Sequence, residues 1–314
     1  MGRHRPQDRS WPPAPPPLPR PIADNHTHLD SIDDVLAPGV QVPTIREHLA
    51  HAREAGVDRL LQIGCDLPSA RTTAAWTAMF PILGGVAIHP NEAVLHAGIL
   101  ETGPDGQDPR PQPRHAASLA EAIEEIAALA DRPGIRVIGE TGLDKFRTGP
   151  GGLAAQIESF RAHIALAKEK DLVLQIHDRD AHAEVLEVLR RDGAPARTVF
   201  HCFSGDKEMA EFCASQGWYL SFAGPVTYRA NDELRAALRA VPVGLVQVET
   251  DAPYLPPQPY RGRPNAPYLA ALTAAFMADV IDMPLADFCE QISQTSDALY
   301  GPWPADYASS GTDL

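Results

Sequence analysis

The sequence lacks the features that mark membrane and disulfide-bonded proteins. Its apolar runs do not approach the roughly 18 residues that a membrane-spanning helix needs, and no positively charged start leads into an apolar signal core. The cysteines include no CxxC pair, which argues against a zinc knuckle or a disulfide framework; they are Cys65, Cys202, Cys213 and Cys289. We therefore expect a soluble, cytoplasmic protein whose cysteines are reduced packing residues.

The sequence also has few positive charges. It contains 27 Lys and Arg against 41 Asp and Glu, which gives a formal net charge of -14. Proteins that coat nucleic acid through many phosphate contacts depend on clustered Lys and Arg. The composition therefore argues against that class, while a local site for a phosphate remains open.

Regular segments fill most of the 314-residue chain. Residues 1–21 are rich in proline and poor in core-forming side chains, which favours an extended or disordered N-terminal tail. From Ile22 onward, β-rich segments alternate with helical patterns, and the eight candidate strands are IADNHTHLD, RLLQIGC, LGGVAIHP, IRVIGETGLD, LVLQIHDRD, RTVFHCFSG, WYLSFAG and LVQVETDAPY. Because no linker divides this pattern, residues 22–300 are predicted to form a single α/β domain, a (β/α)8 TIM barrel. Residues 301–314 are predicted to fray.

Three further segments have distinct patterns. An apolar stripe follows a predicted capping box of Ser118 and Glu121, and consists of Leu119, Ile123, Ile126 and Leu129. Residues 284–300 show a similar stripe and are predicted to form an extra C-terminal helix. Residues 95–117 are long, polar and rich in glycine and proline, as expected of a lid or an exposed excursion.

Polar residues stand where the predicted strands end; they are His26, His28, His89, Glu140, His177, His201 and Asp251. In a TIM barrel the carboxyl ends of the strands form one rim, where the chemistry takes place. Burying such groups is costly unless they are paired, and a metal ion supplies the pairing.

The spacing of the first two histidines supports a metal site. Residues i and i+2 of a strand point to the same side, so His26 and His28 can bind one ion. A lone histidine is more often a packing or surface residue, but HxH together with further ligand types at strand ends predicts a metal centre. Glu140 could bridge two cations, and two ions about 3.5 to 4 Å apart would clamp a phosphodiester and its attacking water.

Several motifs occur in a fixed order at these strand ends: HTHLD, IHPNEA, IGETGLD, IHDRDA, HCFSG and ETDAPYL, followed by PYRGRPN. Although HxH also opens many amidohydrolases, the ordered set resembles the TatD family of metal-dependent deoxyribonucleases. The resemblance covers about residues 22–300.

The resemblance implies two divalent cations. One would be held by His26, His28, Glu140 and Asp251, and the other by Glu140, His177 and His201. Magnesium is the expected metal for activity, with manganese, zinc and iron left open. The implied activity is 3′-5′ exonuclease hydrolysis of single-stranded DNA, with DNA as the partner and with neither a membrane nor an obligatory protein partner. The catalytic residues would be Glu140 and Asp251, the latter helping to take a proton from the attacking water.

Substrate contacts are expected from three further residues. Arg179 could hold a phosphate oxygen by its planar fork, with an ion pair to Asp178 or Asp180 as the alternative. Arg261 lies in the PYRGRPN segment, which resembles a substrate clamp, although a solvated loop would also explain it. His89 is expected to contact substrate rather than metal, because the ligand set is complete without it; packing is the alternative.

Two other expectations concern neighbouring groups. Glu249 points to the same side as Asp251 and is expected to orient a metal ligand. Phe203, Tyr254 and Tyr260 could stack on an unpaired base, with loop packing as the alternative.

Two rival functions remain open. An amidohydrolase-type enzyme acting on an amide, lactone or phosphotriester would have a similar barrel and HxH opening. Many such enzymes carry a modified lysine where this chain has Glu140, which favours the deoxyribonuclease. The other rival is a binding or scaffold protein without catalytic activity.

Overall fold

The structure is a computed structural model that describes residues 9–37 and 39–304. The parts of the two predicted tails that fall on residues 1–8 and 305–314 lie outside the described residues. No single helix of the described chain is long and apolar enough to cross a membrane. The segments Pro267–Val280 and Leu285–Tyr300 meet that requirement only as a pair, across a bend of 114°.

Eight parallel strands form the predicted barrel, each paired with the next along the chain. They are β1 (Ile22–Thr27), β2 (Val57–Gly64), β3 (Leu83–Val86), β4 (Ile135–Asp144), β5 (Val173–Arg179), β6 (Thr198–Phe200), β7 (Tyr219–Phe222) and β8 (Val246–Val248). The strands are almost wholly buried because helices cover the outside and side chains fill the inside. The TIM-barrel prediction is therefore confirmed.

The barrel closes between the last and first strands. Thr27 forms a parallel bridge with Ala252, and the Asp251 backbone N–H donates to the His26 carbonyl over 2.9 Å. The His28 N–H donates to the Ala252 carbonyl over 2.6 Å. This closure brings the HxH pair and Asp251 to the same point of the rim.

Helices follow the strands around the outside. They are α1 (Ile45–Glu54), α2 (Leu67–Met79), α3 (Pro90–His96), α4 (Leu119–Leu129), α5 (Leu153–Glu169), α6 (His182–Asp192), α7 (Lys207–Ser215), α8 (Asp232–Ala240), α9 (Ala270–Val280) and α10 (Leu285–Tyr300). The predicted capping box is present, since the Ser118 side chain accepts from the Glu121 N–H while the Glu121 carboxylate accepts from the Ser118 N–H. The predicted C-terminal helix is α10.

The interior of the barrel has its own apolar cluster. Leu61, Val137 and Val173 point inward from three strands and pack with Leu299 and Tyr300. The end of α10 therefore supplies two side chains to the barrel interior.

Residues 9–21 have no regular secondary structure and lie against the barrel. The hydrogen bonds that hold them include those from Arg263 Nε to the Ser10 carbonyl (2.9 Å), Trp11 Nε1 to the Gln41 carbonyl (3.1 Å), the Tyr268 hydroxyl to the Pro12 carbonyl (2.6 Å) and the Leu18 N–H to the Ala55 carbonyl (3.0 Å). The proline-rich segment is thus in contact with the loop that follows β8.

The excursion at 95–117 includes the end of α3 and a short 3-10 helix, Pro113–Ala116. Arg114 attaches it to the body of the barrel, with Nε 2.6 Å from Glu92 Oε2 and 3.1 Å from Asp66 Oδ2. The excursion is therefore anchored to α2 and α3 by an ion-pair network.

Candidate metal centre and active site

A cavity of about 1010 Å³ opens at the carboxyl ends of the strands. Its walls include His28, His89, Glu140, His177 and Asp251. His201 also lines it, while His26 lies fully buried beneath. The structure therefore brings the six predicted metal ligands to one place.

The first cluster contains the HxH pair. The Nε2 atoms of His26 and His28 lie 3.1 Å apart. Glu140 Oε1 lies 3.5 Å from His28 Nε2, and Asp251 Oδ1 lies 3.4 Å from the same atom. Both oxygens lie 3.9 Å from His26 Nε2. Four ligand atoms thus face a common point.

The second cluster uses the other oxygen of Glu140. Glu140 Oε2 lies 2.7 Å from His201 Nε2 and 3.0 Å from His177 Nδ1. The two oxygens of one carboxylate therefore face two separate groups of histidines, which is the arrangement that a bridging ligand requires.

Hydrogen bonds to the far side of each ring fix the tautomers of the HxH pair. His28 Nδ1 lies 3.0 Å from the Ile63 carbonyl, which can only accept, so this nitrogen carries the proton. His26 Nδ1 lies 2.8 Å from Gln175 Oε1, which also accepts. Both Nε2 atoms are therefore left with lone pairs that face the cluster.

Carboxylates fix the rings of the second cluster in the same way. His201 Nδ1 lies 3.2 Å from Glu249 Oε1, and His177 Nε2 lies 3.2 Å from Asp144 Oδ2. Such partners orient a ligating imidazole and raise its basicity. The geometry supports the expected orienting role of Glu249 and adds Asp144, which is also buried.

This donor set fits divalent metal ions. Two lone-pair nitrogens 3.1 Å apart repel each other unless a cation or an added proton lies between them. Burial would raise the pKa of Glu140, but the imidazoles of His201 and His89 hold that pKa well below its usual range, so the carboxylate is the stable form. Imidazole with carboxylate is a ligand combination that suits zinc, manganese, iron and, through its oxygens, magnesium.

His89 differs from the ligand histidines. Its Nδ1 accepts a hydrogen bond from the Asn91 N–H over 3.1 Å, so the proton is on Nε2. That Nε2 lies 3.9 Å from Glu140 Oε2 and next to the cavity. A protonated Nε2 is a hydrogen-bond donor and not a metal ligand, which favours the substrate role over metal binding.

Two arginines line the cavity beside the ends of β4 and β5. The exposed Arg179 places its guanidinium 4.0 Å from the centre of the Phe146 ring, while the carboxylate of Asp178 binds His182 over 2.8 Å. Arg147, which the sequence analysis missed, also faces the cavity. Its position three residues after the GLD motif was the available signal.

Three of the other predicted contacts, Arg261, Phe203 and Tyr260, do not line the cavity. Arg261 stacks 4.8 Å over Tyr228 and is not among the residues that line the cavity. Phe203 is buried in the core, and Tyr260 packs against the core. Tyr254 is 41% exposed and does line the cavity.

Cys65 is closer to the site than its expected packing role implies. Its thiol donates to Glu140 Oε1 over 3.2 Å, and its side chain forms part of the cavity wall. Burial raises the pKa of this thiol, so the neutral donor form is favoured.

Comparison with known proteins agrees with the motifs. The sequence model of the family described as TatD related DNase matches residues 23–301. A Mycobacterium tuberculosis protein named uncharacterized metal-dependent hydrolase TatD is 36% identical over 268 residues, which cover 83% of this chain and 90% of that protein. A Cronobacter turicensis protein named 3'-5' ssDNA/RNA exonuclease TatD is 33% identical over 222 residues, covering 69% of this chain and 75% of that protein.

A solved structure shows the same fold. The crystal structure of YJJV, a TatD homologue from Escherichia coli K12, has a TM-score of 0.74 at 21% identity and covers 90% of this chain and 98% of that one. Because the family match extends over nearly the whole barrel, the chain belongs to the family of TatD-related DNases, whose relatives include metal-dependent hydrolases.

Proposed function

We propose that the protein hydrolyses phosphodiester bonds in single-stranded DNA, removing nucleotides from the 3′ end with the help of two divalent cations, magnesium being the expected metal. The observation that carries the proposal is the position of Glu140, whose two carboxylate oxygens face two different histidine clusters. The name of the Cronobacter turicensis relative, a ssDNA/RNA exonuclease, supports the choice of substrate.

The metal ligands would be those of the two clusters: His26, His28 and Asp251 with Glu140 Oε1, and His177 and His201 with Glu140 Oε2. Two bound cations would neutralise phosphate charge and make a water molecule a stronger nucleophile at neutral pH.

In this proposal Asp251 takes a proton from the attacking water. Its side chain is 13% exposed, at the floor of the cavity, and its Oδ1 lies 3.4 Å from His28 Nε2. The bond from its backbone N–H to the His26 carbonyl fixes the residue in position. A water bound at the first cluster would lie beside this carboxylate, which would then meet the geometric requirement for a general base.

Substrate would be held by groups that are not ligands. Arg147 and Arg179 both line the cavity and can bind phosphate oxygens through their planar forks. His89 Nε2–H can donate to a third oxygen. The exposed ring of Tyr254 offers a face for an unpaired base, a contact that contributes about 1 to 3 kcal/mol in single-strand binders.

The charges around the cavity favour an end of a strand over a long duplex. Acidic residues outnumber arginines in the lining, which includes Asp30, Asp66 and Glu92. An extended phosphate backbone would be repelled by this acidic lining, whereas one or two phosphates can be bound by Arg147 and Arg179. This distribution supports attack at a terminus.

The proposal is tested with chelator-stripped protein and a 5′-labelled single-stranded DNA, with and without magnesium or manganese. We expect a metal-dependent ladder that shortens from the 3′ end, and no ladder with Asp251→Asn. Folded, metal-loaded protein that leaves the DNA intact but cleaves a lactone, amide or phosphotriester would instead support the amidohydrolase-type alternative.

A further inference from the structure

The hydroxyl of Tyr300 connects the supports of both histidine clusters. Tyr300 is the last residue of α10 and is 2% exposed, inside the barrel. Its hydroxyl donates to Asn25 Oδ1 and accepts from Gln175 Nε2, the latter over 3.1 Å. The side-chain amides of Gln175 and Asn25 then contact, directly or through one further residue, two different metal ligands.

Gln175 leads to His26. Its Nε2 donates to the Asn25 carbonyl over 2.9 Å as well as to Tyr300, which uses both amide protons. Only Oε1 is left to face His26 Nδ1, 2.8 Å away. The orientation of the Gln175 amide therefore requires His26 to carry its proton on Nδ1 and to present an unprotonated Nε2 to the first cluster.

Asn25 leads to His201 through Glu249. Asn25 Nδ2 donates to Ser221 Oγ over 3.0 Å and lies 3.5 Å from Glu249 Oε2. The other oxygen of Glu249 accepts from His201 Nδ1 over 3.2 Å. Asn25 thus restrains the carboxylate that fixes the ring of His201.

The donor and acceptor roles in this hydrogen-bond network are fixed. A flipped Asn25 amide would point Oδ1 at the carboxylate of Glu249, and a flipped Gln175 amide would point Oε1 at the Asn25 backbone carbonyl, both of which can only accept. At the junction of the two amides, the phenol hydroxyl both donates and accepts, as the pair requires. Asn25, Gln175 and Glu249 are all fully buried, so an unpaired group among them would be costly.

We propose that Tyr300 is a positioning residue for both metal clusters, acting through Gln175 on His26 and through Asn25 and Glu249 on His201. The inference rests on the metal centre of the proposed function and on no assumption about the substrate. Metal affinity would then depend on how the C-terminal end of α10 packs into the barrel interior. Removing a partner that orients a metal ligand typically weakens metal binding by about 10- to 100-fold.

The test compares Tyr300→Phe with Tyr268→Phe in the full chain. Tyr268 is the matched control because it is also buried, at 6% exposure, and its hydroxyl donates to the Pro12 carbonyl, far from the clusters. The dissociation constants of both sites for manganese alone are measured by competition with a chelator. Thermal unfolding of the metal-free proteins reports whether each variant is folded.

We expect Tyr300→Phe to raise both dissociation constants by about 10-fold or more, and Tyr268→Phe to leave them unchanged. If Tyr300→Phe does not fold, Gln175→Leu removes the His26 branch, leaves the contact between Tyr300 and Asn25 in place, and should weaken the first cluster alone. Wild-type affinity in folded Tyr300→Phe, equal weakening by the control, or equal weakening of both clusters in Gln175→Leu would overturn the inference.

The outcome is independent of the nuclease assay. Unchanged metal affinity in Tyr300→Phe together with DNA cleavage by the wild type contradicts this inference alone. Weakened metal affinity in the variant together with a wild type that cleaves no DNA contradicts the nuclease proposal alone.

Discussion

Glu140 and His201 touch each other at the centre of the barrel mouth, with 2.7 Å between Oε2 and Nε2. Because Glu249 holds the proton of His201 on Nδ1, this contact needs either a metal ion or a second proton on the ring. Burial would lower the pKa of His201, but Glu140 and Glu249 hold it well above its usual range. Protons and metal ions therefore compete for the same position.

The support of His201 gives the first prediction. Glu249→Gln keeps the size of the side chain and removes its charge, so the His201 ring loses basicity and its tautomer is less firmly fixed. We expect affinity at the second cluster to fall by about 10- to 100-fold while the first cluster changes little. Metal titration of both sites gives the answer, and equal affinity in the two proteins would show that Glu249 does not act through His201.

The second prediction concerns the two arginines that line the cavity, Arg147 and Arg179. Arg179→Ala and Arg147→Ala should each raise KM for single-stranded DNA with metal content unchanged, because they remove a charge that binds phosphate in both ground and transition states. Arg161→Ala is the control, since Arg161 is exposed and pairs with Asp192 on the outside of the barrel. If steady-state kinetics of the cavity variants match those of the control on every DNA tested, the arginines have only structural roles.

His89 gives a prediction that separates ligand from donor. His89→Gln should keep both metal equivalents and lose activity, because Nε2–H of His89 faces the cavity as a donor while Nδ1 accepts from Asn91. Elemental analysis beside a nuclease assay makes the distinction. Loss of one metal equivalent would instead assign His89 to the metal site.

The buried His163 gives a prediction about stability. Its Nε2 accepts from the Ile88 N–H over 3.1 Å, and burial lowers its pKa from 6.5 to about 4. Between these two pH values the unfolded chain binds a proton that the folded chain does not, so the free energy of unfolding falls as the pH drops from 6.5 toward 4. The full effect is about 3 kcal/mol at 1.36 kcal/mol per pKa unit.

The comparison uses His163→Gln, which cannot take up that proton. Denaturant unfolding of metal-free protein at several pH values should show a shallower loss of stability in the variant than in the wild type. Curves that run parallel from pH 7 to pH 4 would mean that His163 does not contribute to the acid sensitivity.

The sequence was most informative where a signal is local. The strands β1, β3, β4, β5, β6 and β8 each end within four residues of a polar residue that the motifs indicate, because a polar side chain that interrupts an apolar segment marks the carboxyl end of a strand. The pairing of Ser118 with Glu121 was readable for the same reason, since both partners lie within one turn.

Contacts between distant segments could not be read in this way. Tyr300 and Asn25 are separated by 275 residues, and the bond between Arg263 and Ser10 spans 253. No pattern along the chain distinguishes such partners from surface or core residues. Arg261 lies in a motif that predicted a substrate clamp, but the direction of its side chain is set by stacking over the distant Tyr228 ring.

The bridging position of Glu140 is tested most directly by counting bound metal ions in Glu140→Gln and in the wild type. Asp30→Asn is the control, since Asp30 lines the same cavity but accepts a hydrogen bond from Gln62 over 2.5 Å and belongs to neither cluster. We predict two equivalents for the wild type and the control, and a loss of both in Glu140→Gln. Two tightly bound equivalents in Glu140→Gln would contradict the bridge and, with it, the two-metal account of the site.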